Sequence, residues 1–264
     1  MAVRLTDIVI YPLKSCAGYS LAEVTLDRFG PRGDRRWMVV NDNGGFLTQR
    51  DLPAMCRIEV DADDDRIRLY LGDSSLAVEQ PSPSVKPRMV RVWSDHALAQ
   101  DAGDEAANWL SERLERPCRL VFMPEESTRL VDGLYAREGE TVGFADGFPL
   151  LLISQASLDD LNDRLPSPVP MNRFRPNLVV EGCEPFAEDD WRRIRIGEVE
   201  FQVAKPCSRC VMPSIVQESA ERDPDINRVL AGYRHFEGKV YFGQNLLYQE
   251  MGSLKVGDGV EVLE

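Results

Sequence analysis

Lys205-Pro206-Cys207-Ser208-Arg209-Cys210-Val211 is the stretch on which the reading of this chain turns. It sets two thiols three residues apart beside a fixed positive charge. Such a pair can ligate a metal, shuttle a disulfide or sit inert in a core, and Arg209 favours the thiolate form of a thiol it approaches. A thioredoxin-like dithiol follows a strand and opens a helix. Here Val199-Glu-Phe-Gln-Val203 leads in and Val211-Met-Pro-Ser-Ile-Val216 leads out, both strand-like, so the motif is expected at a bend between two strands. Structural zinc needs further ligands, and His96, His235, Cys16, Cys56, Cys118 and Cys183 form no second Cys-x-x-Cys pair. A reactive or metal-bound cysteine and a buried structural pair both stand at this point.

Working outward, 264 residues with 43 % apolar side chains suffice for one large core or two small ones. A net charge of -13 and an isoelectric point near 4.8 argue against gripping nucleic acid or an anionic membrane through the overall field. They leave room for a local basic pocket. The start, Met-Ala-Val-Arg-Leu-Thr-Asp, has no basic segment followed by an apolar one, and no run approaches the ~18 apolar residues of a membrane span. A cytoplasmic protein with reduced, scattered cysteines is the expectation.

The flanking sequence is largely strand-like. Val3–Tyr11 reads as a strand stopped by Pro12, followed by a loop, Lys14-Ser15-Cys16-Ala17-Gly18, that taken alone reads as solvated surface. A second short strand is expected over Leu21–Leu26. Arg35–Val40 and Phe46–Thr48 form a hairpin across Asn41-Asp-Asn-Gly-Gly45, and Arg32, Arg35 and Arg36 make it locally basic. These arginines either pack their stems on Trp37 or clamp an anion near Lys14. Arg57–Val60 and Arg66–Leu71 flank an acidic turn, Asp61–Asp65, which lacks the glycine and distant glutamate of a calcium loop. Strands are expected again over Met89–Trp93, Ala97–Gln100 and Cys118–Phe122, with an amphipathic helix over Asp104–Arg116 stopped by Pro117.

Pro124–Asp146 is polar and glycine-dotted, a candidate flexible loop over a site and the expected location of a domain boundary. Beyond it, Phe148–Ile153 is a buried strand, and Ser154 is expected to cap a helix carrying Leu158, Leu161 and Leu165 on one side. A stiff Pro166–Pro170 linker leads to Asn172–Asn177 and the strand Leu178–Glu181. Trp191–Ile196 and Val199–Val203 form a hairpin that feeds the cysteine pair. A short helix over Asp223–Arg234, strands over Lys239–Tyr248 and Val260–Leu263, and a Gly-Asp turn in Leu254–Asp258 complete the chain.

Six blocks in order, Tyr11–Cys16, Asp34–Trp37, Asn172–Asn177, Pro206–Cys210, Phe242–Asn245 and Lys255–Asp258, resemble the MOSC family. The resemblance is to the group with an N-terminal MOSC β-barrel, which includes the mitochondrial amidoxime reducing component and its bacterial relatives. It implies a mixed, predominantly β fold: an N-terminal β-barrel-like domain over 1–123 and a MOSC β-barrel domain over 124–264, with a few peripheral helices. It also implies a molybdenum cofactor (Mo-molybdopterin), whose phosphate needs an anion pocket. By carry-over Cys210 is the metal ligand and catalytic residue. Lys14, Ser15 and Arg35 align with the phosphate end, Arg175 and Asn177 with the pterin side, and Asp146 with an aspartate near the cofactor.

Relatives reduce N-hydroxylated compounds such as amidoximes, hydroxylamines and N-hydroxylated bases. The resemblance accordingly implies an oxidoreductase fed by a separate electron-transfer protein (ferredoxin, flavodoxin or cytochrome type) and its reductase, since the ferredoxin extension of one bacterial branch does not follow Glu264. A second implied role is a cofactor or persulfide carrier without turnover. Pyridoxal phosphate-like binding is a lesser expectation. After Cys210 the family's hydroxyl-rich Thr-Thr-Val-Asp run is replaced by Val211-Met-Pro213-Ser214, and Gly147 and Phe148 stand where some relatives carry hydroxyl residues.

Overall fold

Val199–Ser208 and Lys239–Tyr248, each of ten residues, pair antiparallel and form the spine of the computed structural model, which describes residues 2–264. In the first of them Val199, Phe201 and Val203 are buried and alternate with exposed Glu200 and Gln202, the period of a strand with one face in a core. Both belong to a nine-stranded sheet. Its order runs Val260–Val262, Arg193–Ile196, Val199–Ser208, Lys239–Tyr248, Leu150–Ser154, Leu178–Glu181, Arg4–Ile10 and Tyr19–Leu21, with His235–Phe236 on the flank of Lys239–Tyr248. Gly243 lets two of these strands approach. At φ +80°, a Cβ there would lie 2.6 Å from Ile153 Cγ1 and 2.8 Å from the Leu152 carbonyl oxygen.

The N-terminal segment contributes a four-stranded sheet (Trp37–Val40, Arg119–Phe122, Asp95–Asp101, Arg88–Val92) and a three-stranded one (Glu59–Ala62, Arg66–Leu71, Ser74–Glu79). Helix α1 (Asp104–Arg113) buries Ala106, Trp109 and Leu110 in the core beneath them. Helix α2 (Gln155–Asn162) links two parallel strands, Leu150–Ser154 and Leu178–Glu181, and the Ser154 hydroxyl accepts the Ser157 N–H as an N-cap. Helix α3 (Asp225–Tyr233) buries Ile226 and Leu230. Strand pairs join early and late sequence: Arg4–Ile10 lies against Leu178–Glu181, and Ser253–Lys255 against Glu23–Asp27.

The architecture is predominantly β with three α-helices among the described residues. It differs from the sequence reading in several places, beginning with the strand expected over Leu21–Leu26, which is divided between Tyr19–Leu21 and Glu23–Asp27. Val211–Val216 is not a strand: Met212–Ser214 is a 3-10 turn, because Pro213 lacks a ladder donor and Ser214 returns both its N–H (3.0 Å) and its hydroxyl (2.7 Å) to the Val211 carbonyl. The cysteine pair thus lies at the end of one strand, not at a bend between two. Ser253–Lys255 is a strand, the turn being confined to residues 256–259. Ser74–Glu79 is a strand absent from the expectation. Pro124–Asp146 has no regular element but is strapped down. Arg129, 3 % exposed, donates to the carbonyls of Gly143 (2.8 Å), Ala145 (2.5 Å) and Asp146 (2.9 Å) and pairs with Asp95. No helix among the described residues is long and apolar enough to cross a membrane.

Candidate functional site

A cleft of about 440 Å³ opens where the end of the cysteine strand faces the loops of the N-terminal segment. Lys14, Ser15, Arg35, Asp146, Arg175, Asn177 and Cys210, the residues singled out in the sequence, all lie in its wall. The Lys14 loop is not solvated surface: Lys14 and Ser15 are each 5 % exposed. The Lys14 ammonium donates to the Phe144 carbonyl (2.6 Å) and to Asp146 Oδ1 (2.5 Å), and Arg50 Nη2 meets the other oxygen of that carboxylate at 2.8 Å. Burial pulls the Lys14 pKa down to about 8, against the stabilising pull of Asp146. Burial would raise Asp146, but Lys14 and Arg50 hold its carboxyl well below the usual range. Its side chain is 53 % open because it forms part of the cleft wall.

The three arginines of the basic hairpin separate. Arg35 faces the cleft, Arg36 is wedged between Phe29 and Phe122 with its guanidinium on the Met123 carbonyl, and Arg32 pairs with Asp64 at the surface. Trp37 stacks on Phe122 instead of carrying an arginine stem. Arg35 Nη1 donates to Asp34 Oδ2 (2.6 Å) and Asn177 Oδ1 (2.9 Å), and Nη2 to the Arg175 carbonyl (3.3 Å). Asn177 in turn gives its amide N–H to the Val9 carbonyl (3.1 Å) and accepts the Leu151 N–H. Its amide therefore ties three strands together behind Arg35.

Tyr11 lies between two guanidinium groups, Arg35 at 4.3 Å and Arg175 at 4.2 Å from its ring centroid. Gly18 makes room for that ring, since a Cβ there would sit 2.4 Å from it. Arg175 is 9 % exposed, and among the described residues its guanidinium makes no hydrogen bond. Burial lowers its pKa, only partly offset by Tyr11.

At the opposite wall Cys210 is exposed and its sulfur accepts the Met212 N–H at 3.4 Å. Cys207 is half-buried, with Arg209 Nη1 3.1 Å from its sulfur. Arg209 Nη2 is held by the Phe174 carbonyl at 2.7 Å. Burial would lower the Arg50 pKa, but Asp146 and the adjacent Cys210 hold it above its ordinary value. Arg50 thus binds the carboxylate of the Lys14–Asp146 pair and shares the cleft wall with Cys210.

Three further residues of the wall escaped the sequence reading as site residues: Arg50, Lys205 and Trp93. Lys205 stands in the cysteine motif and lies over the rings of Tyr135 and Phe148. Arg50 and Trp93 carried no spacing signal.

The donor set suits a phosphate-bearing ligand that also presents a thiophilic metal. Six cationic side chains face one carboxylate in the cleft of an acidic protein. The Nε atoms of Arg50 and Arg209 are buried without a partner, donors left over by the protein itself. Ser15, Arg35, Trp93 and Arg175, four of the eight non-glycine residues with positive φ among the described residues, line this one cleft. Backbone strain of that kind is retained where a site requires it.

Fold and cleft define a predominantly β protein with a cation-lined cleft that also exposes a thiol. Residues 2–117 match the MOSC N-terminal beta barrel domain and residues 139–261 the MOSC domain, so the chain belongs to the MOSC family. Among its relatives, Mitochondrial amidoxime-reducing component 1 of Mus musculus is 34 % identical and that of Homo sapiens 32 %, each over 98 % of this chain and 82 % of the relative. Molybdenum cofactor sulfurase of Oryza sativa subsp. japonica is 34 % identical over 94 % of this chain; the match spans only 33 % of that longer protein.

Proposed function

We propose that the chain binds a molybdenum cofactor in this cleft and reduces N-hydroxylated small molecules, namely amidoximes, hydroxylamines and N-hydroxylated bases. Electrons come from a separate ferredoxin, flavodoxin or cytochrome-type protein and its reductase. The observation that carries this reading is the convergence of six cations and an exposed Cys210 thiol on one cleft of a protein with net charge -13. Similarity to amidoxime-reducing components over nearly the whole chain supports it.

Lys14, Ser15 and Arg35 hold the phosphate end, Lys14 as a point charge and Arg35 through the donors left after Asp34 and Asn177 are served. Arg175, whose guanidinium makes no hydrogen bond among the described residues and lies on the Tyr11 ring, faces the pterin. Asn177 acts on that side by fixing Arg35 and the strand ends. Cys210, at the exposed end of its strand, supplies the soft sulfur ligand. Asp146 holds Lys14 and Arg50 in place. Conversion of N–OH to N–H takes up an electron pair and protons and releases water, and a bound molybdenum cofactor supplies that redox chemistry.

Protein made in a cofactor-competent host is assayed with benzamidoxime and an artificial electron donor. Turnover that is lost in Cys210→Ser supports the reductase. The relative named as a molybdenum cofactor sulfurase favours a second reading, a carrier of the cofactor or of a persulfide on Cys210. Cofactor present without turnover with any donor would select the carrier, and absence of molybdenum would sink both.

A further inference from the structure

Of the four tryptophans, Trp37, Trp109 and Trp191 are buried, whereas Trp93 is 47 % exposed in the wall of the cleft. Its place in the fold is unusual for its type. Val92 pairs with Asp95, so Trp93 and Ser94 form a two-residue hairpin loop, and Trp93 takes the first position with φ +56°. That position asks for glycine or asparagine, because a side chain there crowds its own backbone. The hairpin instead carries the largest side chain available, at a cost to the fold.

The ring is held, not loose. Phe46 meets it edge-on at 5.1 Å between centroids and 64°, and the Arg50 guanidinium lies 4.7 Å from its centroid. Arg50 is the same side chain that binds Asp146 at 2.8 Å and lies beside Cys210. Indole, guanidinium and thiol thus line the same cleft, and Trp93 stays about half open. A strained, braced and half-open aromatic ring beside the reacting end of a cleft is suited to receive a flat ligand.

Resting on the reductase reading above, we propose that Trp93 is the stacking platform of the substrate subsite, which selects planar aromatic or heteroaromatic N-hydroxylated compounds over small aliphatic ones. Arg50 is its positioning residue, setting the ring's angle through the contact with Asp146. Phe46 buttresses the far edge.

The test pairs two substrates with the same reacting group, benzamidoxime and acetamidoxime, on cofactor-loaded wild type, Trp93→Gly and Trp93→Phe. Glycine suits the positive φ, so Trp93→Gly is expected to fold with a melting temperature at or above that of wild type. Binding is measured by calorimetry with no electron donor, and turnover with an artificial donor. The ratio of kcat/KM for benzamidoxime to acetamidoxime is expected to fall roughly tenfold in Trp93→Gly, through KM more than kcat, with a matching rise in the benzamidoxime Kd. Trp93→Phe should restore most of it. An unchanged ratio and Kd in Trp93→Gly overturns the platform. Trp93-dependent binding of benzamidoxime without turnover of either amidoxime by wild type sinks the reductase reading while the platform stands.

Discussion

Lys14 should make anion binding in the cleft depend on pH in a direction opposite to its effect on stability. Its ammonium is 5 % exposed and its pKa is held at about 8, below the ordinary 10.5, by burial that Asp146 only partly offsets. Between those values the unfolded chain carries the proton and the folded chain does not. Stability therefore rises with pH through this window, by at most about 3 kcal/mol from this group. An anion held by Lys14 requires the proton, so its affinity falls by up to about tenfold, or ~1.4 kcal/mol, for each pH unit above about 8. Inorganic pyrophosphate titrated calorimetrically from about pH 7 to about pH 9.5 reads this slope, in a Cys207→Ser/Cys210→Ser background that removes the two thiols of the same cleft. Lys14→Arg, charged throughout, should lack this fall, so that wild-type affinity drops relative to the variant's as pH rises above about 8. Equal slopes with and without the Lys14→Arg substitution, or a flat profile in both proteins, would refute the assignment of Lys14 to the anion.

Cys210→Ser should abolish activity and change the ligand field of bound molybdenum, read by electron paramagnetic resonance, while Cys207→Ser should be milder; equal loss with cofactor retained would mean that the two thiols act as a pair. Arg35→Ala leaves Asp34, 3 % exposed, without its ion-pair partner, retaining the Tyr11 N–H, and should cost about 3 kcal/mol in urea unfolding along with molybdenum content. Arg35→Lys should recover part of the stability, and undiminished molybdenum in Arg35→Ala would remove Arg35 from the phosphate site. Gly243→Ala adds a methyl group against the Leu152 carbonyl at a φ of +80° and should lower stability by roughly 2–3 kcal/mol; a loss below ~0.5 kcal/mol would show that the two strands can part without penalty.

Much of the fold was legible because its strands alternate cleanly, as Val199–Val203 does, or run fully apolar, as Leu150–Ile153 does. Ser74–Glu79 was not, because only Leu76 and Val78 reach inward and its remaining residues are small or polar. Val211–Val216 misled through its β-branched ends, since local bonds from Ser214 and the missing donor of Pro213 decide that segment. In the candidate site, Lys14, Arg35, Arg175 and the Cys210 thiol could be named in advance through the family resemblance, but their bonding could not. Asn177 is spent on Val9, Leu151 and Arg35, and that pairing across 142 positions has no local trace. Arg50 and Trp93 were overlooked for the same reason, each being ordinary in its own segment and meaningful only beside Asp146 and Cys210. A tryptophan at the tip of a two-residue hairpin was the available clue.

Everything proposed for this cleft depends on molybdenum being held there through Cys210. X-ray absorption at the molybdenum edge, on wild type and Cys210→Ser purified from a cofactor-competent host, tests it most directly. Near-stoichiometric molybdenum is expected in wild type, and the loss of a sulfur ligand in the variant. No molybdenum in wild type, or identical sulfur coordination in both proteins, would contradict it.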